Sequence, residues 1–208
     1  MDYIRISASY LFNIQLDNYY LLIKSERRNQ YQPIGGCYKY FPNAEEFLLS
    51  IGAIPEKKSN GIDSLMDLRL LIPTDSINAF IKWYISGQNR ETTYDREFNE
   101  ELVSVLPQEK QNLFNKIRAE KLLSGSFDIF FDDEKEINSI KPMDIIKLDL
   151  TPEQKQVVCD FCSNNSNLIL ATADEIMNGY KMLKDNTKAK IGGHTKNILQ
   201  QASLAMEL

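Results

Sequence analysis

One run constrains this chain more than any other: Asp95-Arg96-Glu97-Phe98-Asn99-Glu100-Glu101-Leu102. Helical spacing puts Glu97, Glu100 and Glu101 at i, i+3 and i+4 on one side, with Phe98, Leu102 and Val105 on the adjoining apolar stripe. A helix written this way must bury one face and crowd negative charge beside it. Neighbouring carboxylates repel by roughly 0.2–0.5 kcal/mol per exposed pair, so the pattern asks for a compensating cation. Arg90 and Arg96 supply part of it. A hard divalent ion such as Mg²⁺, which binds through one or two carboxylates plus substrate phosphates, supplies more. The plain alternative is a solvated charged face.

The 208 residues suffice for one well-cored domain, or for one domain carrying an insertion. With 43% apolar and 25% charged residues and few Gly and Pro, the composition is that of a globular chain and excludes low complexity. A formal charge of −5 excludes a general nucleic-acid-polymer binder, which needs a basic stripe to displace counterions. A small phosphorylated ligand needs only local positive charge. No apolar run reaches membrane-span length and no signal core follows the N-terminus, so the expected location is cytoplasmic. Three cysteines, Cys37, Cys159 and Cys162, do not make a disulfide framework. Cys159-x-x-Cys162 matches a redox or half-zinc pattern, but no second pair accompanies it and His194 is the only histidine, so a structural role is the stronger reading.

Along the chain, Tyr3 to Leu16, the turn Asp17-Asn18 and Tyr19 to Lys24 read as a hairpin. A polar loop holding Arg27 and Arg28 leads to Tyr31-Gln32-Pro33-Ile34-Gly35-Gly36-Cys37-Tyr38, whose paired glycines permit close backbone approach. Phe41 to Gly52 reads as a helix with Asn43 as N-cap, Asp67 to Ile72 as a strand, and Pro73 to Gly87 as a helix bearing Ile77, Phe80, Ile81 and Tyr84 on one side, with Trp83 in packing. Residues of about 41–86 thus look like an inserted helix-strand-helix subdomain. The acidic helix is expected from about Arg90 to Leu106, then a helix from Gln108 to Leu123. Beyond it come a strand from Phe127 to Phe131 and an extended stretch from Ile140 to Leu150 interrupted at Pro142. A helix capped at Thr151-Pro152, a strand Leu168 to Ala171, a capping box Thr172 to Glu175 and a last helix from about His194 complete the chain. Strands and helices alternate without a repeating βαβ unit, so the fold class is α+β, or an α/β/α sandwich.

With Pro33-Ile34-Gly35-Gly36 and Arg96-Glu97-Phe98-Asn99-Glu100-Glu101 in view, the chain resembles a Nudix domain. That family's signature is Gly, five residues, Glu, seven residues, then Arg-Glu-apolar-x-Glu-Glu-x-Gly-apolar. The second half matches through Arg96, Glu97, Phe98, Glu100 and Glu101. The first half departs, with Gln88 where the Glu belongs, and Val103 and Ser104 replace the later Gly and apolar residue. The resemblance implies a Nudix fold spanning residues 1–208, with the 41–86 block inserted between the Gly-Gly loop and the acidic helix. It also implies Glu97, Glu100, Glu101 and the carbonyl of Gly36 as metal ligands, and Glu97 as the catalytic group of an active member. More narrowly, Gln32 to Gly36 with Tyr38-Lys39, the Asp67-Leu68-Arg69 strand, Phe80 to Trp83, Arg90-Glu91 and His194-Thr195-Lys196 are similar to Nudix domains associated with bacterial nucleotidyltransferases of anti-phage systems. Such domains sit beside membrane helices and recognise a cyclic oligonucleotide.

Two functions follow from that resemblance. In the first, the groove is a receptor for a cyclic di- or trinucleotide, in a soluble protein or the cytosolic part of a membrane effector, and occupancy changes how copies associate. Arg27, Arg28, Lys39, Arg69 and Arg90 are the cations suited to phosphate oxygens, and Tyr31 and Tyr38 the flat partners for bases. In the second, the domain is a Mg²⁺-dependent pyrophosphohydrolase of a nucleoside diphosphate derivative, with Glu97, Glu100 and Glu101 around the metal. A dimerising scaffold is the bland third.

Overall fold

The computed structural model describes residues 2–25, 28–56 and 66–199. In chain order its elements are β1 (Tyr3–Ser7), β2 (Ser9–Leu16), β3 (Tyr19–Ser25), β4 (Gln30–Gln32), β5 (Gly35–Cys37), α1 (Glu45–Ser50), β6 (Ile54–Pro55), β7 (Arg69–Pro73), α2 (Ile77–Ser86), α3 (Asp95–Glu101) and α4 (Gln108–Gln111). There follow β8 (Arg118–Leu123), β9 (Phe130–Asp132), β10 (Ile137–Ile140), β11 (Met143–Asp149), α5 (Pro152–Ser163), β12 (Leu168–Ala171), α6 (Ala173–Asn178), β13 (Tyr180–Met182) and β14 (Lys188–Lys190). A 3-10 helix spans Gly193–Leu199. The mixture of sheets and helices is the expected α+β fold. Among the described residues no helix is long and apolar enough to cross a membrane.

The chain forms two compact units. The first holds Met1–Tyr10, Gly36–Asp95 and Ser124–Asp144. Its sheet runs β6-β7-β1-β10-β9, with β1 parallel to β10 and antiparallel to β7. Ile4, Ile6, Leu70, Ile72 and Ile140 are buried in it. Arg5, on the same central strand, is buried too and must find charge: Nε and Nη2 reach Glu56 at 3.0 and 2.7 Å. Glu56 is also met by Lys135 at 3.4 Å, and Asp132 by Lys141 at 2.6 Å. Burial alone would raise the proton affinity of Glu56, yet the hydrogen bonds from Arg5 and the charges of Arg5 and Lys135 hold its pKa below the usual range.

The helix-strand-helix block is present, and β7 is built into this sheet beside β1 from Tyr3↔Pro73 to Ser7↔Arg69. Helix α2 buries Ile77, Phe80, Trp83 and Tyr84, a helical stripe, and stops where Gly87 turns left-handed at φ 71°. Trp83 stacks on Phe47 with ring centroids 5.5 Å apart. Gly125 admits no side chain, because a Cβ there would lie 1.9 Å from the backbone nitrogen of Met143.

The second unit holds Leu11–Gly35, Arg96–Leu123 and Ile145–Leu208. Its sheet runs β12-β3-β2-β11-β8, with β4 on β3 and β5 on β2. Strands β2 and β3 form the expected hairpin, and Asp17 takes φ 55° in its turn. Both capping boxes form. Gln154 N–H donates to Thr151 Oγ1 and Thr151 N–H to Gln154 Oε1, at 3.2 and 2.8 Å. Gln154 Nε2 then donates to the Leu113 carbonyl at 2.6 Å, tying the cap to the chain before β8. Thr172 and Glu175 repeat the motif at α6, and Lys181 reaches Glu175 at 2.9 Å.

Four local expectations are corrected. The first hairpin arm is two strands in different sheets, broken at Ala8, whose N–H donates to Leu68 O and whose carbonyl accepts from Tyr38 N. The helix expected over Gln108 to Leu123 ends at Gln111, and Arg118–Leu123 becomes an edge strand on β11, from Asp149↔Arg118 to Ile145↔Leu123. Its Arg, Ala, Glu, Lys and Leu are strong helix formers, and ladder pairing overrides them. The acidic helix is shorter, since Arg90 lies in extended backbone bridged to Tyr40. Asn43 makes no cap; the 3-10 turn Pro42–Ala44 leads straight into α1.

Replacing Thr151 or Thr172 by Ala should each destabilise the fold by about 1 kcal/mol, read as a lower urea midpoint with unchanged slope. Gly125→Ala should cost well above that, since backbone must move.

Candidate functional site

The acidic helix is positioned by one strand residue. Phe98, 6% exposed, packs edge-on against Phe12 of β2 at 6.0 Å and lies 6.4 Å from Phe114. The backbone N–H of Phe12 donates to the carbonyl of Ile34 at 2.8 Å. One residue therefore holds both α3, through its ring, and the Pro33-Ile34-Gly35 segment, through its backbone. Beyond Glu101 the chain tightens into a 3-10 turn, Val103–Val105, with Val103 buried and Ser104 Oγ donating back to the Glu100 carbonyl. The residues that depart from the Nudix signature thus end α3 after two turns. Gln88, the other departure, is in the first unit, where its N–H reaches Ser86 Oγ at 3.3 Å.

Part of the positive charge that the carboxylate face requires comes from the helix itself. Arg96 Nη1 lies 2.8 Å from Glu97 Oε1 and 3.1 Å from Glu100 Oε2. Glu97 is largely enclosed, its side chain 14% exposed, whereas Glu100 is open. Glu101 is half-buried, and its pKa is raised by desolvation first and then by the charges of Glu97 and Glu100. The three carboxylates offer the hard oxygen donors that Mg²⁺ prefers. However, among the described residues no three His, Cys, Asp or Glu side chains are grouped to hold a metal ion, so the donor chemistry fits and the grouping does not. Gly36, the expected carbonyl donor, belongs to the first unit.

Of the expected ligand-binding residues, Arg27 lies outside the described residues. Arg28 is exposed, and its charge, after desolvation, lowers the pKa of His194, keeping the imidazole neutral near pH 7. Tyr31 is 7% exposed and its hydroxyl donates to Ser166 O at 2.6 Å. Tyr38 is 1% exposed, donates to Asp144 Oδ2 at 2.6 Å and packs on Tyr10 at 4.6 Å. Both tyrosines are core rather than open platforms for bases, each ring packed inside and its hydroxyl taken by an acceptor within the protein. Arg90 is likewise committed: Nε and Nη1 donate to the carbonyls of Tyr84 and Glu91, both at 2.6 Å, and the guanidinium lies 3.9 Å from the Tyr84 ring centroid. Lys39 and Arg69 keep more freedom. The Lys39 carbonyl accepts from Glu91 N–H at 2.7 Å, its N–H donates to Glu91 Oε2 at 3.2 Å and its backbone bridges to Asp67, while Arg69 stands 3.9 Å from the Asp67 carboxylate. The first unit thus gathers Tyr38, Lys39, Arg69 and Arg90 along one connected stretch, while Arg28, Tyr31 and the three glutamates belong to the second.

Asp144 escaped the sequence reading. It is 8% exposed and accepts from Tyr38 and from Gly125 N–H at 3.1 Å, yet Met-Asp-Ile-Ile on a strand carries no local sign of that role. The Cys159-x-x-Cys162 pair sits on α5 with both thiols free. Burial raises both pKa values, that of Cys162 to about 12, which opposes the thiolate that redox or zinc chemistry needs.

The raised proton affinity of Glu101 has a definite sign. Because the folded state holds that proton more tightly than the unfolded one, the contribution favours folding at acid pH and is lost as pH rises through the raised value. At pH 7 Glu101→Gln should therefore raise Tm by about 1–2 °C, a small effect because half the group is solvated. The gain should vanish where wild-type Glu101 is already protonated, as scanning calorimetry from pH 4 to 7 would read.

No curated protein and no solved structure matches the chain. A family model does: the SMODS-associated NUDIX domain matches residues 3–199. With a glycine-containing segment and a glutamate helix of the Nudix type both anchored on Phe12, and a match of that extent, the chain belongs to the SMODS-associated NUDIX domain family.

Proposed function

We propose that this domain recognises a cyclic di- or trinucleotide second messenger of an anti-phage defence system, through a Nudix groove that has turned from hydrolysis to binding. The observation that carries the reading is the departure from the signature on both sides of the acidic helix: Gln88 stands where the Glu belongs, and a 3-10 turn at Val103–Val105 follows directly on Glu101. Arg96 answers part of the charge of this face, as the arginine of the signature can in any member, and leaves Glu101 held by desolvation and by the charges of Glu97 and Glu100. A carboxylate-and-arginine surface of this kind suits a nucleotide: glutamates accept from base amino or ribose hydroxyl groups, and guanidinium donors suit phosphate. Neutral Gln88 keeps a hydrogen-bonding side chain but not the charge of the usual Glu, and the turn at Val103 and Ser104 shortens the helix.

Binding and hydrolysis separate in one set of experiments. In thermal-shift assays against a panel of cyclic di- and trinucleotides, a ligand at 100 times its Kd should add about 2.7 kcal/mol to stability. The same stabilisation is expected with EDTA present, and the ligand should be recovered intact. Arg96→Met should abolish the shift. Mg²⁺-dependent release of product from a nucleoside diphosphate derivative, lost in Glu100→Gln, would establish the pyrophosphohydrolase instead and end the sensor reading.

A further inference from the structure

The hairpin of β13 and β14, remote in sequence from the acidic helix, carries a patch that the Nudix reading does not use. Its register is Tyr180↔Lys190, Lys181↔Ala189 and Met182↔Lys188. Successive residues of a strand point to opposite faces, and directly paired residues share a face. One face therefore presents Tyr180, Met182, Lys188 and Lys190 together, and the other Lys181 and Ala189. The two faces are treated differently. On the inner one Ala189 is buried and the Lys181 ammonium is neutralised by Glu175 at 2.9 and 3.0 Å. On the outer one Tyr180 is 37% and Met182 51% exposed, and among the described residues neither Lys188 nor Lys190 meets a carboxylate.

Two ammonium groups two residues apart on one face repel each other, and nothing described in the protein answers them. Lys188 reaches diagonally to the Tyr180 ring, with Nζ 3.7 Å from its centroid. That cation–π contact partly offsets the repulsion without supplying an anion. Asn178, Gly179, Tyr180, Lys188 and Lys190 line a cavity of about 330 Å³, within the range that small ligands occupy. Gly179 shapes its floor by turning left-handed at φ 77° to end α6, after which its carbonyl accepts from Ile191 N at 2.8 Å. The acidic residue of the β13–β14 turn, Asp185, is occupied locally, accepting from Thr187 N–H and Oγ1 at 2.9 and 2.6 Å.

We propose that this cavity is a second binding site, for a mononucleotide, with its terminal phosphate between Lys188 and Lys190, its base on the Tyr180 ring beside Met182, and Asn178 as the polar partner at the rim. A phosphomonoester is nearly dianionic at pH 7 and matches two ammonium groups, and drawing Lys188 to the phosphate lifts its ammonium from the Tyr180 ring and leaves that face to a planar base. The spacing Tyr-x-Met and Lys-x-Lys is visible in the sequence as a two-residue period, although only strand pairing shows that both pairs share a face.

The test uses the full chain and two probes, AMP and inorganic phosphate, followed by ligand-observed NMR at low salt. AMP should bind more tightly than phosphate, with saturation transfer to its base protons. Lys188→Ala/Lys190→Ala should abolish binding of both; the lysines are exposed, so the variant keeps the fold, as circular dichroism would verify. Tyr180→Leu should weaken AMP by roughly tenfold, the size of one base–aromatic stack, and leave phosphate unchanged. Absence of binding by wild type at millimolar AMP would overturn the proposal. So would AMP binding that survives loss of both lysines, or that falls equally on replacing Lys155, which stands on α5. Because these variants leave Arg96 and the glutamates intact, failure here and failure of the cyclic-nucleotide reading are read independently.

Discussion

Phe12 is the residue on which the candidate site depends. It is fully buried, its ring receives Phe98 from the acidic helix, and its N–H holds the carbonyl of Ile34 just before Gly35. A two-turn helix has little stability of its own, because nucleation costs are spread over too few hydrogen bonds. Helix α3 therefore exists where tertiary contact holds it, and Phe98, with Leu102 buried behind it, is that contact. Of the carboxylates beside this contact, Glu100 is open, whereas Glu97 and Glu101 are partly enclosed. Hydrophobic anchoring and charge display are two consequences of one spacing.

Charge is settled inside each unit mainly by arginine, and the three cases differ. Arg5 is buried on a central strand and draws in Glu56, with Asp132 at longer range. Arg90 donates to main-chain carbonyls and lies over Tyr84, closing the turn after α2. Arg96 bridges two glutamates of its own helix. Guanidinium serves all three because it offers planar, directed donors and is weakly hydrated, so its partial burial costs less than that of an ammonium. The lysines of β14 are the contrast, as compact, strongly hydrated charges left at the surface on one face.

Much of the architecture could be read before any coordinates. Thr151-Pro152-x-Gln154 and Thr172-x-x-Glu175 marked two helix starts because a capping box is a local exchange of hydrogen bonds. Gly52 and Gly87 marked two helix ends because only a residue without Cβ turns left-handed at little cost. The hairpin turn at Asp17-Asn18 and the acidic helix around Glu97 were legible for similar reasons. Arg118–Leu123 was not, since its residues favour helix and only the neighbouring strand β11 offers the ladder that overrules them. Nor was the break at Ala8, which depends on backbone partners at Leu68 and Tyr38 far along the chain. Tyr31 and Tyr38 looked like platforms beside a glycine loop and proved to be core, a distinction of facing that sequence adjacency does not contain.

By itself the sequence determined the fold class, two capping boxes and two glycine helix stops, the acidic helix with Phe98 and Leu102 buried though not Val105, which is exposed, and the family to which the chain belongs. Those are properties of short-range bonding and of spacing along one element. Only the tertiary structure decided that Arg90 donates to backbone carbonyls, that Asp144 receives Tyr38, and that Tyr180, Lys188 and Lys190 share a face. Each of these turns on which side chain meets which across an interval of chain or a rotamer choice, and such meetings are set by packing of the whole rather than by any local preference.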